Sequence, residues 1–234
     1  MSVFSLASLS CESCGTVRAV EAVQSANPTR HPTFLDALLD RTFNRSCCAM
    51  CGHVHLAEGP MLWTDVSADL VAMMVPPADR IGWQHLELQV EEAFGPAVRE
   101  EGPEFVQAWG RGAIIRLVFG LEELREKAVI RRHRLRDSTI EVLKLPFGDL
   151  EHGRGPVLER VDDDGLRLAM SPPAGIPAVE GSAEERTITV VPWSAYERRL
   201  ECAAADAVAY PGLYRGTWVN WSRAVCPPLE RTID

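Results

Sequence analysis

Cys11-Glu12-Ser13-Cys14-Gly15 and Cys48-Ala49-Met50-Cys51-Gly52 are the two stretches whose reading decides the N-terminal fold. Each sets two thiols at a C-x-x-C spacing and follows the second with glycine. That spacing lets both sulfurs of one tight turn face a common point, and glycine supplies the left-handed backbone such a turn often needs. Two copies of one pattern predict a single tetrahedral site, with Cys11, Cys14, Cys48 and Cys51 as the ligands of a structural zinc ion. The 33 residues between Cys14 and Cys48 exceed the usual ribbon interval. A helical insert absorbs the excess: Thr33 is placed to cap it, and Leu35, Leu38, Leu39 and Phe43 recur at helical spacing.

Other readings of the same thiols fit less well. A thioredoxin-like redox pair sits between a strand and a helix of a βαβ unit, and neither turn has that setting. Cys47 precedes Cys48 directly, but a Cys47–Cys51 pair has the wrong spacing and misplaces the glycine. His53 and His55 follow the second turn at strand spacing and read as solvated side chains beside four well-placed cysteines. Cys202, on an expected helix, and Cys226, near the tail, read as free thiols. Four thiolates saturate zinc, whereas a catalytic zinc keeps one position open, so the expected role of the metal is to hold a fold together.

Composition narrows the class of protein. The chain has 234 residues, 46% hydrophobic and 24% charged, as expected of a globular protein able to bury a core without cysteine staples. Its net charge of −9 disfavours binding to duplex nucleic acid, which rests on neutralising phosphates with cations. The segment MSVFSLASLS lacks the basic start and the long apolar run of a secretory signal, and no stretch has the length of a membrane span. A cytoplasmic location follows as the expectation, and there paired thiols more often hold metal than form disulfides.

Further along, Thr16–Val20 and His53–Leu56 read as strands leaving the two turns, with a loop at Asn27–Pro32. Asp69–Val75 reads as a buried strand ended by Pro76-Pro77. Between Arg80 and Phe147 the pattern is mostly helical. Leu86, Val90, Ala93 and Phe94 mark one helix, closed by Gly95-Pro96, and Glu104–Trp109 continues helically. AIIRLVF (113–119) fits a strand or a buried helix start, and GLEELREKAVIRRHRLRD (120–137) is rich in helix formers. Ser138-Thr139-Ile140-Glu141 has the form of a capping box. In the last third, Asp163-Asp164-Gly165 signals a hairpin, SPPAGIPAVEGSAEE a loop, RTITVVPW a strand, and SAYERRLECAAADAVA a helix capped by Ser194.

The remaining constellations have ordinary readings. Arg125, Lys127, Arg131, Arg132, His133, Arg134 and Arg136 form the most basic run, read first as a solvated helix face. Asp162–Gly165 lacks the alternating ligands and distant glutamate of a calcium loop. Trp193, Tyr210, Tyr214, Trp218 and Trp221 read as the core of a second subdomain before they read as a partner surface. No phosphate loop, Ser-His-Asp order or His-Glu-x-x-His motif is present, so no catalytic residue is expected.

The two cysteine turns around a helical insert, GPMLWTD, the apolar run ending at Pro76, LEELREKAVI and STIEVLKL together resemble the CpXC-domain family of bacterial proteins, over roughly residues 5–147. The family takes its name from a proline after the first cysteine of each turn. Here those positions are Glu12 and Ala49, and MLWTD replaces a version with tyrosine and histidine. The resemblance implies a fold and the four cysteine ligands, and no activity. The expectation is therefore an α+β protein: a zinc-ribbon-like part (1–77), a mainly helical remainder (78–150) and a small α+β extension (151–234). Its expected role is a non-enzymatic, zinc-stabilised binding or scaffold protein whose partner is another protein. The alternative is a nucleic-acid-binding ribbon using the 125–136 face.

Overall fold

The computed structural model describes residues 2–57, 59–148, 155–170 and 187–224. The architecture is α+β, and the chain divides into two compact units, 1–128 and 129–234, with the division falling inside one helix. Strands of the first unit are β1 (Val3–Ser10), β2 (Val17–Ala26), β3 (Arg45–Cys47), β4 (Val54–Leu56), β5 (Met61–Asp65), β6 (Leu70–Val75) and β7 (Ile114–Phe119). Its helices are α1 (Thr33–Leu39), α2 (Trp83–Arg99), α3 (Glu104–Gly110) and the start of α4 (Leu121–Arg132).

Five of these strands make one mixed sheet in the order β1-β2-β5-β6-β7, and β3 and β4 make a separate hairpin. β1 runs antiparallel to β2 along its whole length, whereas β2 joins β5 in parallel through Ser25 and Ala26 alone. The β1–β2 hairpin therefore projects from the sheet as a ribbon with the first cysteine turn at its tip. β5 and β6 are antiparallel; β7 then lies parallel to β6 after the crossover through α2 and α3. AIIRLVF is thus a strand, buried on most of its length as β-branched runs in parallel sheets are. The stretch expected to be mainly helical returns to the sheet through it.

The core of this unit gathers Ala26, Leu38, Phe43, Met61, Trp63, Leu70, Ala72, Met74, Val118, Leu121, Leu124 and Ala128. An aromatic chain ties the insert helix to the sheet. Phe34 lies 5.8 Å from Phe43 and Phe43 lies 6.0 Å from the fully buried Trp63, both edge to face, the geometry ring quadrupoles favour. Burial of a side chain such as Leu38 contributes about 1.5–3 kcal/mol, so α1 is held by packing more than by its short backbone ladder.

The second unit holds α5 (Asp137–Lys144), an antiparallel sheet of β8 (Pro156–Asp162), β9 (Gly165–Met170) and β10 (Ile188–Pro192), then α6 (Trp193–Glu201), α7 (Ala203–Ala209) and α8 (Pro211–Tyr214). The Asp163-Asp164 turn joins β8 to β9 as a hairpin. Asp162 accepts from Arg167 and from the Asp164 N–H, and the arginine holds its carboxyl below the usual range, which is turn chemistry and not a calcium frame. Trp218 and Trp221 are buried, as the core reading expects, whereas Trp193, which packs on Tyr196 at 5.9 Å, and Tyr210 and Tyr214 are half-buried. The SPPAGIPAVEGSAEE segment (171–185) and Cys226 lie outside the described residues.

Several local expectations give way to tertiary context. α2 runs through Gly95 and Pro96 and ends at Arg99; the Pro96 carbonyl still accepts from the Glu100 N–H at 2.8 Å, so the proline costs the helix its own donor but does not stop it. α1 starts at Thr33 behind Pro32, and α6 at Trp193 behind Pro192, neither with a side-chain cap. The single helix expected from Ser194 to Ala209 is broken at Cys202 into α6 and α7. Ser138 lies inside α5, which begins at Asp137, and Glu141 makes no capping box. Its buried carboxylate instead accepts from Lys144 at 3.0 Å and from the Trp221 N–H at 2.9 Å, which keeps both charges satisfied in a dry site. Along the basic run Arg125 and Lys127 are buried, with Arg125 Nε donating to the Leu39 carbonyl at 3.0 Å. Only Arg132, His133, Arg134 and Arg136 stay exposed.

Candidate metal centre

Both cysteine turns are hairpin tips, and the backbone repeats itself in them. The N–H of the first cysteine donates to the carbonyl five residues on, Cys11 to Thr16 at 2.9 Å and Cys48 to His53 at 2.7 Å. The glycine N–H donates back to the first cysteine's carbonyl at 2.8 Å in both turns. Gly15 and Gly52 take φ of +71° and +77°, the left-handed region where a Cβ is strained. Identical hydrogen bonding places the thiols identically. In each turn the first cysteine is buried and the second is exposed.

The tips meet. Cys11 Sγ lies 3.5 Å from Cys51 Sγ and Cys14 Sγ lies 3.7 Å from Cys48 Sγ, and all four sulfurs fall within 4.8 Å of one another. Sulfurs at zinc–thiolate distance on a tetrahedron are about 3.8 Å apart, whereas a disulfide requires about 2.05 Å. The cluster fits a four-thiolate metal site and not two oxidised pairs. It contains neither Cys47 nor either histidine. His53 and His55 stack edge to face at 4.7 Å, and His55 is buried, where a solvated side chain was expected. Cys47 and Cys202 are free and exposed, as read from the sequence.

The surroundings differ from thiol to thiol in the metal-free cluster. The Thr16 hydroxyl, 3.3 Å from Cys14 Sγ, stabilises that thiolate and, with the Thr16 backbone, lowers it to about 6. The N–H groups of Met50 and Cys51 lower Cys48. The His53 N–H also favours the Cys51 thiolate, but desolvation and the sulfurs of Cys11, Cys14 and Cys48 outweigh it and push that thiol up to about 11. Four sulfurs this close cannot all carry charge without a cation among them.

One residue without a sequence signal braces the two hairpins. Arg18 on β2 donates through Nη2 to the Ser46 carbonyl and hydroxyl, both at 2.9 Å, and through Nη1 to the Cys47 carbonyl. The Asn44 side chain adds a second tie by accepting from the Val23 N–H at 3.2 Å. These bonds set β3 against the β1–β2 ribbon, so the tips face each other through protein contacts as well as through any metal.

Two hairpins joined at cysteine knuckles define a zinc-ribbon-like unit carried by an α+β protein. The chain belongs to the CpXC family: the model for CpXC protein matches residues 9–144, from the first cysteine turn to the end of α5. No curated protein and no solved structure matches the chain. Among the described residues, no helix is long and apolar enough to cross a membrane.

Proposed function

We propose that Cys11, Cys14, Cys48 and Cys51 bind one structural zinc ion, and that the chain is a non-enzymatic binding or scaffold protein acting through protein contacts. The observation that carries the first part is the convergence of four sulfurs from two equivalent hairpin tips. All-sulfur tetrahedral donors select zinc over the oxygen-seeking cations. Four protein ligands leave no position for water or substrate, which supports a structural and not a catalytic metal. The protein-contact reading rests on that closed site together with the absence of a catalytic signature in the sequence. Burial of Arg125 and Lys127 removes two of the seven basic side chains on which the nucleic-acid alternative drew.

The test measures metal per chain by mass spectrometry on protein purified without added metal, then repeats it on variants. About one zinc per chain is expected for the wild type and for Cys47→Ser, and well below half of that for Cys48→Ser. Equal zinc in the Cys47 and Cys48 variants would sink the assignment. Co-purification from native extract with partners identified by mass, lost in Cys48→Ser, supports the scaffold reading. Salt-sensitive retention on DNA or RNA without a protein partner overturns it.

A further inference from the structure

The five-stranded sheet has two edges treated in opposite ways. β7 is an edge strand, yet most of its side chains are buried and α2 packs beside it. β1 pairs with β2 alone among the described residues, and its described side chains are all exposed or half-exposed. Natural edge strands are normally blunted by charge, proline or shortness, because every second N–H and C=O points outward as a template for another strand. β1 has none of these defences. It is eight residues long, VFSLASLS, with no ionisable side chain and no proline. Phe4 and Leu6, two apart and so on one face, are 48% and 79% exposed. Val17, which shares that face through its pairing with Ser10, is 66% exposed.

We infer that β1 is a dimerisation edge, pairing antiparallel with β1 of a second copy to make one sheet continuous through both chains. The neutrality of the strand admits a second copy as the occupant. With a net charge of −9, two copies repel over most of their surface and meet most readily where the surface is neutral. β1 is such a place, since none of its eight residues is ionisable and two copies set no like charges against each other there. The strand is also complementary to itself. A two-fold axis normal to the sheet keeps equivalent faces together, so residues of like parity must pair. An axis through Leu6 overlaps residues 3–9 of both strands: Leu6 faces Leu6, Phe4 faces Ser8, Ser5 faces Ala7 and Val3 faces Leu9. The two Leu6 side chains then sit together with a Phe4 diagonal to each, which covers the most exposed apolar residue of the strand. This deepens the protein-contact reading by naming its surface and one partner.

The experiment is light scattering on the zinc-loaded full chain across the micromolar range, with zinc content measured on the same samples. The wild type is expected at twice the chain mass. Leu6→Lys puts two like charges directly opposite across the axis and is expected at the monomer mass with its zinc unchanged. In a background with Cys47, Cys202 and Cys226 changed to serine, Leu6→Cys is expected to cross-link between chains under mild oxidation, while Leu9→Cys, opposite Val3 and not its own copy, is not. A wild-type monomer throughout, or a dimer that Leu6→Lys leaves intact, overturns the inference. Cross-linking of Leu9→Cys in place of Leu6→Cys overturns the Leu6 axis. A monomer that retains zinc sinks this inference alone, and a zinc-free dimer sinks the metal assignment alone.

Discussion

Cys14 and Cys51 stand at opposite ends of the thiol range although both are the second cysteine of a knuckle, and the difference has a measurable consequence. Cys14, lowered to about 6 by the Thr16 hydroxyl, is already ionised at neutral pH, whereas Cys51, raised to about 11, still holds its proton. Zinc takes every ligand as thiolate, so loading must displace the Cys51 proton throughout the physiological range. Affinity therefore rises with pH and falls as pH drops, by about tenfold per unit for each proton displaced. Chelator competition should show at least that fall between pH 8 and pH 7, and a steeper one below pH 6 as Cys14 also protonates. A flat profile would contradict the assignment of Cys51 as a ligand. Arg18 is the residue-scale contribution of the fold. Arg18→Met removes three hydrogen bonds to Ser46 and Cys47 and keeps the apolar stem. The same competition should give a zinc affinity lower by about 10–100-fold, as for other groups that orient ligands without touching the metal.

At the scale of the element, each knuckle is a hairpin tip whose glycine turns the chain through the left-handed region. No atom lies within 4 Å of where a Cβ on Gly52 would sit, so only backbone strain opposes a side chain there. Gly52→Ala should cost about 1–2 kcal/mol in urea unfolding of the zinc-loaded protein, and Gly52→Asn less, since asparagine tolerates that conformation better. Gly155 presents the opposite case. A Cβ there would fall 2.1 Å from the Trp221 indole, so Gly155→Ala should destabilise by overpacking, by about 1–3 kcal/mol, although its φ is ordinary. These element-scale features were unevenly legible. The Asp163-Asp164 hairpin and the start of the insert helix lie where the sequence puts them, but that helix ends at Leu39, short of the expected Phe43. The caps at Thr33, Ser138 and Ser194 do not, because prolines or the preceding residue start those helices and because Glu141 is drawn to Lys144 and Trp221. α2 passes Pro96 and closes its last turn through the Glu100 N–H to the Pro96 carbonyl, although Gly95 and Pro96 are both poor helix formers.

At the scale of the molecule, the four-cysteine cluster lies between two hairpin tips of the first unit, while the second has its own sheet and buried tryptophans. Metal removal should therefore act regionally. Hydrogen exchange after chelation is expected to accelerate over residues 9–19 and 45–56 and to leave β8, β9 and β10 protected. Uniform acceleration over both units would show that the clip holds more than its ribbon. Taken alone, the sequence determined which four cysteines converge, the α+β class and the family, because C-x-x-C-Gly spacing is a local constraint that survives any packing. The absence of proline at Glu12 and Ala49 left it intact, since the glycine and the backbone bonds make the turn. Only the tertiary structure decided that Arg18 braces the hairpins, that Arg125 and Lys127 are interior, and that β1 lies at the edge of its sheet among the described residues. Each of these depends on which strand lies beside which, and strand order is set by contacts between residues far apart in the chain, which no local pattern records.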